Sequence, residues 1–286
     1  MTRFVAIIGY PLGHSISPPF QQAAFDYYRL DIRYEKWPTE APHLEATIDH
    51  LRQPSILGAN ITIPYKEAVA PLLDELDEAS SRIGAVNTVV NQSGKLLGYN
   101  TDAPGFIRAL REDGSFEPRD KCAVLLGAGG VARAVGFALT GERLRHLIIV
   151  NRKVERAEGL AVSLRRSATT RTEISIAPWE EMALSRTLSQ CDLVVNCTPL
   201  GMKGSSAEKE TPLKADLIPR HVLVCDLVYN PVETLLLQEA RKAGARALGG
   251  LAMLVYQGAA SFTLWVGKEA PVDIMYKRAK QALGED

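Results

Sequence analysis

Cysteine is scarce in this chain, and what there is does not pair. The four cysteines, Cys122, Cys191, Cys197 and Cys225, form no CxxC motif and have no histidine at zinc-site spacing, and they adjoin apolar runs such as "CAVLLG", "CDLVVNC" and "VLVCDLV". This excludes a disulfide scaffold and a zinc module, and it predicts small core residues in a reducing compartment. Charge of one sign is equally lacking, with 33 basic and 33 acidic residues. No overall field attracts nucleic acid or an anionic membrane, so a small molecule is the expected partner. No apolar run approaches the length of a membrane span. The N-terminal "MTRFVAIIGYPLG" is too short in its apolar stretch for a signal peptide, so a cytoplasmic protein is expected. The five histidines do not cluster, and no grouping of His, Asp and Glu has metal-ligand spacing, so no metal is expected. Repeats and low-complexity tracts are absent as well.

What is present is alternation. Short β-branched runs alternate with amphipathic stretches: "FVAIIG", then "SPPFQQAAFDYYRL", "IRYEKW", a helix from Pro42 to Leu51, and "GANITIP". Such βαβ order predicts a mostly parallel sheet. After the polar segment "REDGSFEPRDK" the pattern restarts at Cys122 with "CAVLLG", "GVARAVGFAL", "LIIVN" and "VERAEGLAVSLR". At 286 residues two domains are expected. From Gly250 the run "GLAMLVYQGAASFTLWVG" is apolar all round, as a buried helix would be, and it is expected to cross back and complete the first domain.

"LLGAGGVARA" sets Gly127, Gly129 and Ala132 in a G-x-G-x-x-A pattern between a predicted strand and a predicted helix. There glycines permit a tight turn and the helix N-terminus favours a pyrophosphate; an empty βα turn is the alternative. The next strand ends in "NRKVER", where an NAD-binding domain would present a carboxylate. Arg152, Lys153 and Arg156 suit a 2′-phosphate instead, which predicts NADP(H); ordinary solvated cations are the other reading.

In "NITIPYK", residues 60 to 66, Asn60, Thr62, Pro64 and Lys66 share one parity, and Ile61, Ile63 and Tyr65 the other. This predicts a strand with one apolar face and a lysine beside hydrogen-bonding groups on the other. "GHSISPPF" places Ser15 and Ser17 before Pro18 at a helix start, suited either to a carboxylate or to local capping. Asn87 and Thr88 enter a strand between apolar neighbours, and "GYNTDAPGF" ends a strand at Asn100, Thr101 and Asp102, where capping and catalysis both fit. His14 lies near these residues, with a loop role as plausible as a chemical one. Ser15, Lys66 and Asp102 all fall at or after predicted strand ends, where ligands gather in α/β sheets. Hydride chemistry at a carbinol carbon requires an acid/base group on its oxygen, and Lys66 with Asp102 as partner is the strongest candidate. Desolvation would lower the lysine's affinity for its proton and an ionised Asp102 would raise it.

Taken together these motifs resemble the shikimate dehydrogenase family: "SIS" at 15–17, "NITIPYK" at 60–66, "GAVNT" at 84–88, "GYNTD" at 98–102, "GAGGVA" at 127–132, "NRK" at 151–153, "NCTPLGM" at 196–202, "DLVYNPVET" at 226–234 and "GLAMLVYQGAASFTLW" at 250–265. The resemblance implies an α/β protein of two domains. One is a substrate domain over 1–104 with a mostly parallel sheet, completed by 252–286; the other is a Rossmann-type NADP-binding domain over 105–251. It implies reversible NADPH-dependent reduction of 3-dehydroshikimate to shikimate on the way to chorismate and the aromatic amino acids. By the same resemblance Lys66 is the acid/base residue and Asp102 assists it. Ser15 and Ser17 hold the substrate carboxylate, and Thr62, Asn87, Tyr229 and Gln257 complete the substrate shell. Cofactor contacts are implied for Gly127, Ala128, Gly129, Gly130 and Val131, for Asn151, Arg152, Lys153 and Arg156, and for Thr198, Leu227 and Gly250, with Glu78 at an acidic family position near the cofactor. Cys197 and Gly258 stand where the motifs usually carry alanine, and Val266 stands in the "LWVG" tail. A quinate/shikimate or aminoshikimate dehydrogenase is the alternative enzyme, a non-catalytic metabolite sensor the alternative class, and the protein is expected as a monomer or homodimer.

Overall fold

The computed structural model describes residues 2–13, 15–167 and 171–285. The chain divides into two compact units, Met1–Gly105 with Val255–Asp286, and Phe106–Leu254.

The first unit begins with β1 (Arg3–Gly9), α1 (Ser17–Tyr27), β2 (Ile32–Pro38), α2 (Leu44–His50) and β3 (Ile56–Ile61), followed by β4 (Glu75–Leu76), α3 (Glu78–Ile83), β5 (Thr88–Gln92), β6 (Lys95–Tyr99) and α4 (Asp102–Glu112), the last of which runs on into the second unit. β1 is buried from Val5 to Gly9, the continuous apolar run of a strand covered on both faces. The sheet order is β2-β1-β3-β5-β6-β4. β1 lies parallel to β2 and β3, and β4 parallel to β6, while β3–β5 and β5–β6 are antiparallel. The β5–β6 hairpin turns through Ser93 and Gly94, both at positive φ (55° and 91°), the backbone a two-residue hairpin needs. Ile48 of α2 and Leu51 pack on Ala6, Ile8, Ile61 and Val89 of the sheet.

In "NITIPYK" the expected strand is shorter than its alternation suggests. β3 stops at Ile61, after which the Tyr65 N–H donates to the Thr62 carbonyl in a turn. Ile63 is consequently 72% exposed and Asn60 is buried, the reverse of the predicted faces. Pro64 has no N–H to continue a ladder, which is why the parity breaks there.

The second unit contains β7 (Cys122–Leu126), α5 (Gly130–Gly141), β8 (His146–Val150), α6 (Val154–Ser167), β9 (Glu173–Ala177), α7 (Glu181–Leu188), β10 (Leu193–Asn196), β11 (Leu223–Asp226), α8 (Leu235–Lys242) and β12 (Arg246–Gly249). All its strand pairs are parallel, in the order β12-β11-β10-β7-β8-β9. This is the doubly wound Rossmann order, in which the sequence of strands reverses between β7 and β10. Val124, Ile148, Val194 and Val224 form one row across four strands and meet Leu184 and Leu188 of α7 and Leu236 and Ala240 of α8. On α5, Gly136 leaves space for Leu164 of α6, whose Cδ1 would lie 2.7 Å from an added Cβ.

The C-terminal helices are α9 (Leu251–Val266) and α10 (Val272–Ala282). From Val255 onward they belong to the first unit, where Phe262 meets Phe25 (ring centroids 5.4 Å apart) and the Trp265 indole N–H donates to the Val89 carbonyl (2.9 Å). Gly258 permits contact with α1: an added Cβ would fall 2.5 Å from Phe20 Cε2. Among the described residues no helix is long and apolar enough to cross a membrane.

Candidate active site

The first unit brings the predicted lysine and carboxylate together. Lys66 follows the turn after β3, and its carbonyl accepts the Val86 N–H (2.7 Å). Asp102 opens α4, where the positive helix end favours an anion. Lys66 Nζ lies 2.7 Å from Asp102 Oδ2, with the two side chains 19% and 6% exposed. The other carboxylate oxygen, Oδ1, accepts from Asn87 Nδ2 (2.9 Å).

Asn87 is oriented without ambiguity. The Thr101 backbone N–H can only donate, and it donates to Asn87 Oδ1 (2.7 Å), so the NH2 group must face Asp102. The same NH2 lies 2.9 Å from Thr101 Oγ1 and 3.3 Å from Gln257 Oε1. Gly105 lets Gln257 approach so closely, because a Cβ there would be 2.7 Å from the Gln257 nitrogen.

Behind these residues a buried polar ladder runs back to α1. Thr101 Oγ1 and Thr88 Oγ1 both bond Ser261 Oγ (3.1 and 2.7 Å), and Asn60 Nδ2 donates to Ser261, Thr88 and the Asn87 carbonyl. Asn60 Oδ1 accepts from the Tyr34 hydroxyl (2.7 Å), beside which Ser17 of α1 stands. Burial pushes the Tyr34 hydroxyl well above its ordinary pKa, so it stays a donor. Asn60 thus belongs to the ladder rather than to a polar face shared with Lys66. Ser17 is the first residue of α1 rather than its cap, which is Ile16, and the Ser17 N–H donates to Ser15 Oγ at 3.4 Å. Thr62 is half-buried and its N–H donates to the Ile8 carbonyl. Sequence reasoning passed over Tyr34 and Ser261. The signal for Ser261 is a hydroxyl inside an apolar helix, which requires a partner when buried. His14 lies outside the described residues.

In the second unit the glycine-rich turn follows β7. Gly127 has φ +109°, and an added Cβ would lie 3.1 Å from Thr198 Cγ2. Gly129 is the N-cap of α5 with no side-chain cap, and a Cβ on it would meet nothing within 4 Å. Ala128, Gly130 and Val131 are partly exposed around it, and Ala132 is buried. Free N–H groups at the end of a twelve-residue helix, open above a bare glycine, fit a dinucleotide pyrophosphate. Beyond β8, Asn151 Nδ2 donates to the Lys153 carbonyl (2.7 Å), and Arg152, Lys153 and Arg156 are exposed. Among the described residues none of these three cations is ion-paired, which fits a 2′-phosphate.

Thr198 follows β10, and Asn196 Oδ1 accepts both its N–H (3.0 Å) and its hydroxyl (2.7 Å). The Leu227 N–H donates to the Asn196 carbonyl. Gly250 lies against Leu227, whose carbonyl oxygen would be 2.4 Å from an added Cβ. Tyr229 is half-exposed as a residue, yet burial of its hydroxyl raises its pKa. Glu78 opens α3 in the first unit, 87% exposed and 3.4 Å from Arg82.

Comparison with known proteins bears on nearly the whole chain. Residues 7–89 match a family model described as the shikimate dehydrogenase substrate binding domain, residues 112–210 one described as shikimate / quinate 5-dehydrogenase, and residues 250–280 one described as the shikimate 5'-dehydrogenase C-terminal domain. The chain is 46% identical to a shikimate dehydrogenase (NADP(+)) of Methanopyrus kandleri and 44% identical to one of Desulforamulus reducens, in each case over 96% of this chain and 93% of the relative. The structure is similar to that of shikimate 5-dehydrogenase from Thermus thermophilus in complex with NADP(H) and shikimate, with a TM-score of 0.87 and 37% identity over 99% of this chain and 100% of that one.

Proposed function

Since the chain belongs to the shikimate dehydrogenase family, we propose that it catalyses the reversible NADPH-dependent reduction of 3-dehydroshikimate to shikimate, in the route to chorismate and the aromatic amino acids. The observation that carries this reading is the Lys66–Asp102 pair, 2.7 Å apart and largely withdrawn from water in the unit that matches the substrate-binding model. When bound, the coenzyme supplies the hydride to the carbonyl carbon. The Lys66 ammonium gives its proton to the carbonyl oxygen as that oxygen becomes a hydroxyl, and in the oxidative direction the amine takes the proton back. Asp102 holds the ammonium in place and accepts from a substrate hydroxyl. Asn87 holds Asp102 in turn, so that the carboxylate presents a fixed edge.

Ser15 and Ser17 bind the substrate carboxylate, and Thr62, Asn87, Tyr229 and Gln257 complete its shell. Gly127 to Val131 take the pyrophosphate, and Asn151, Arg152, Lys153 and Arg156 take the adenosine 2′-phosphate. Thr198, Leu227 and Gly250 line the rest of the coenzyme, with Glu78 in an accessory place. The substrate part comprises 1–104 with 252–286, and the coenzyme part 105–251. Small molecules are the only ligands this reading requires, for a monomer or homodimer in the cytoplasm.

Steady-state oxidation of shikimate and of quinate, each with NADP+ and with NAD+, tests the reading. The highest kcat/KM is expected for shikimate with NADP+. Preference for quinate, or equal turnover with NAD+, would reassign the substrate or the coenzyme, and no turnover of either acid would refute the activity.

A further inference from the structure

Asp226 ends β11 and has no part in the roles given above. It stands in register beside Asn196, the last residue of β10, and both are fully buried. The donors to its carboxylate are uncharged: Asn196 Nδ2 (2.9 Å) and the Val228 N–H (3.1 Å) to Oδ1, and the Thr234 hydroxyl (2.6 Å) to Oδ2. The first leads to the segment against the glycine-rich turn, the second to the segment against Gly250, and the third to the start of α8. Asn196, steered by Asp226, turns its own Oδ1 to the N–H and hydroxyl of Thr198, and Thr198 abuts Gly127. Val228 follows Leu227, whose carbonyl abuts Gly250. Thr234 caps α8.

We propose that Asp226 is a positioning residue for the coenzyme: as a carboxylate ion it aligns, through Asn196 and the Val228 N–H, the segments that follow β10 and β11, the first of which abuts the dinucleotide turn. The inference rests on the reading of residues 127–131 as a dinucleotide site. Ionisation matters because Asn196 Nδ2 and the Val228 N–H can only donate. A protonated carboxyl would need an acceptor for its own proton, and only Thr234 Oγ1, which would have to reverse its bond, could provide one. Burial opposes this ion, pushing Asp226 up to about 6 against the three hydrogen bonds that hold it down. Among the described residues the titratable groups facing it are the thiols of Cys197 and Cys225, both raised by burial and therefore neutral in this range. A residue present only to hold the fold would not need the charge; asparagine has the same shape and escapes the penalty of an isolated buried ion, while its NH2 meets the same single acceptor, a reversed Thr234 hydroxyl, as the protonated acid and so mimics the neutral state.

Calorimetric titration of the full-length wild type and Asp226→Asn with NADP+ and, separately, with shikimate at pH 7.5 and 5.5 tests this, together with thermal melts. Asp226→Asn is expected to weaken NADP+ binding by about fivefold or more at pH 7.5, the equivalent of roughly one hydrogen bond, and to leave the shikimate Kd within about twofold. Its Tm at pH 7.5 is expected to rise even as NADP+ affinity falls, a combination that a purely structural role would not give. Lowering the pH should weaken NADP+ binding more in the wild type than in the variant, since the 2′-phosphate titrates in both. An unchanged NADP+ Kd, or equal losses for both ligands, would overturn the proposal. Should that variant not fold, Thr234→Val removes one donor to Asp226 and should move upward the pH at which NADP+ binding weakens; no movement would overturn the proposal equally. A wild type that binds no NADP+ at either pH refutes the dinucleotide reading itself.

Discussion

Removing the Lys66 amine takes away the proton donor and leaves the Asp102 carboxylate, largely buried, with Asn87 as its remaining side-chain donor. Lys66→Ala is therefore expected to lower kcat by at least about 100-fold, with NADPH affinity nearly intact because the glycine-rich turn lies in the other unit. Single-turnover rates and a coenzyme titration check both parts. Arg152→Ala should raise the KM for NADPH far more than that for 3-dehydroshikimate, and NADH kinetics in the same variant should hardly change. Asp226 carries a stability prediction of definite sign. Its folded pKa, about 6, lies above the ordinary 3.8, so between those values the native state binds more protons than the unfolded chain. Its contribution to stability falls as pH rises through that window and is constant above it, a deficit of about 3 kcal/mol at most at neutral pH. Denaturant melts of wild type and Asp226→Asn should lie close together towards pH 4, separate between about pH 4 and pH 6 in favour of the variant, and keep a constant difference above that. At this scale Lys66 and Asp102 were legible as a pair because both follow predicted strands, although the structure ends β3 at Ile61 and β6 at Tyr99. Asp226 was not, since nothing in "VCDLVY" distinguishes a strand-end carboxylate that braces a neighbouring turn from one in solvent.

The helices α4 and α9 meet where Gly105 faces Gln257, and the closeness of that meeting sets where the Gln257 amide reaches Asn87. Gly105→Ala should push the two segments apart and raise the KM for shikimate several-fold, with a stability loss of about 1–3 kcal/mol from overpacking. Isothermal titration with shikimate and a denaturant melt separate the two effects. Elements with strong local codes were readable in advance. β7 is an uninterrupted apolar run and β8 is one after its first residue, His146, and α5 and α6 have helical apolar periodicity. Others obey longer-range terms. β3 ends before its alternation does, because the Thr62–Tyr65 turn captures the chain. α8 starts at Leu235, because Thr234 caps it while reaching Asp226. β12 is a four-residue strand in "RALG", specified by pairing with β11 rather than by its own residues.

Over the whole molecule, division into a mixed sheet and a parallel Rossmann sheet follows from where the βα pattern restarts. The antiparallel pairing of β3 with β5 does not, since strand direction depends on connections that composition does not encode. The same packing has withdrawn the sulfur: Cys122, Cys191 and Cys225 are buried and Cys197 is partly so, and burial raises all four thiols above their ordinary range. Native protein is expected to resist iodoacetamide at pH 7.5, whereas the same protein in guanidinium should take up one label per cysteine, a contrast that intact mass spectrometry reads directly. A silent thiol background also makes the molecule convenient to instrument. Once that labelling contrast is found, Met182→Cys on α7, at a residue now 86% exposed, would offer one addressable handle for a fluorophore or a spin probe, with no native cysteine to delete first.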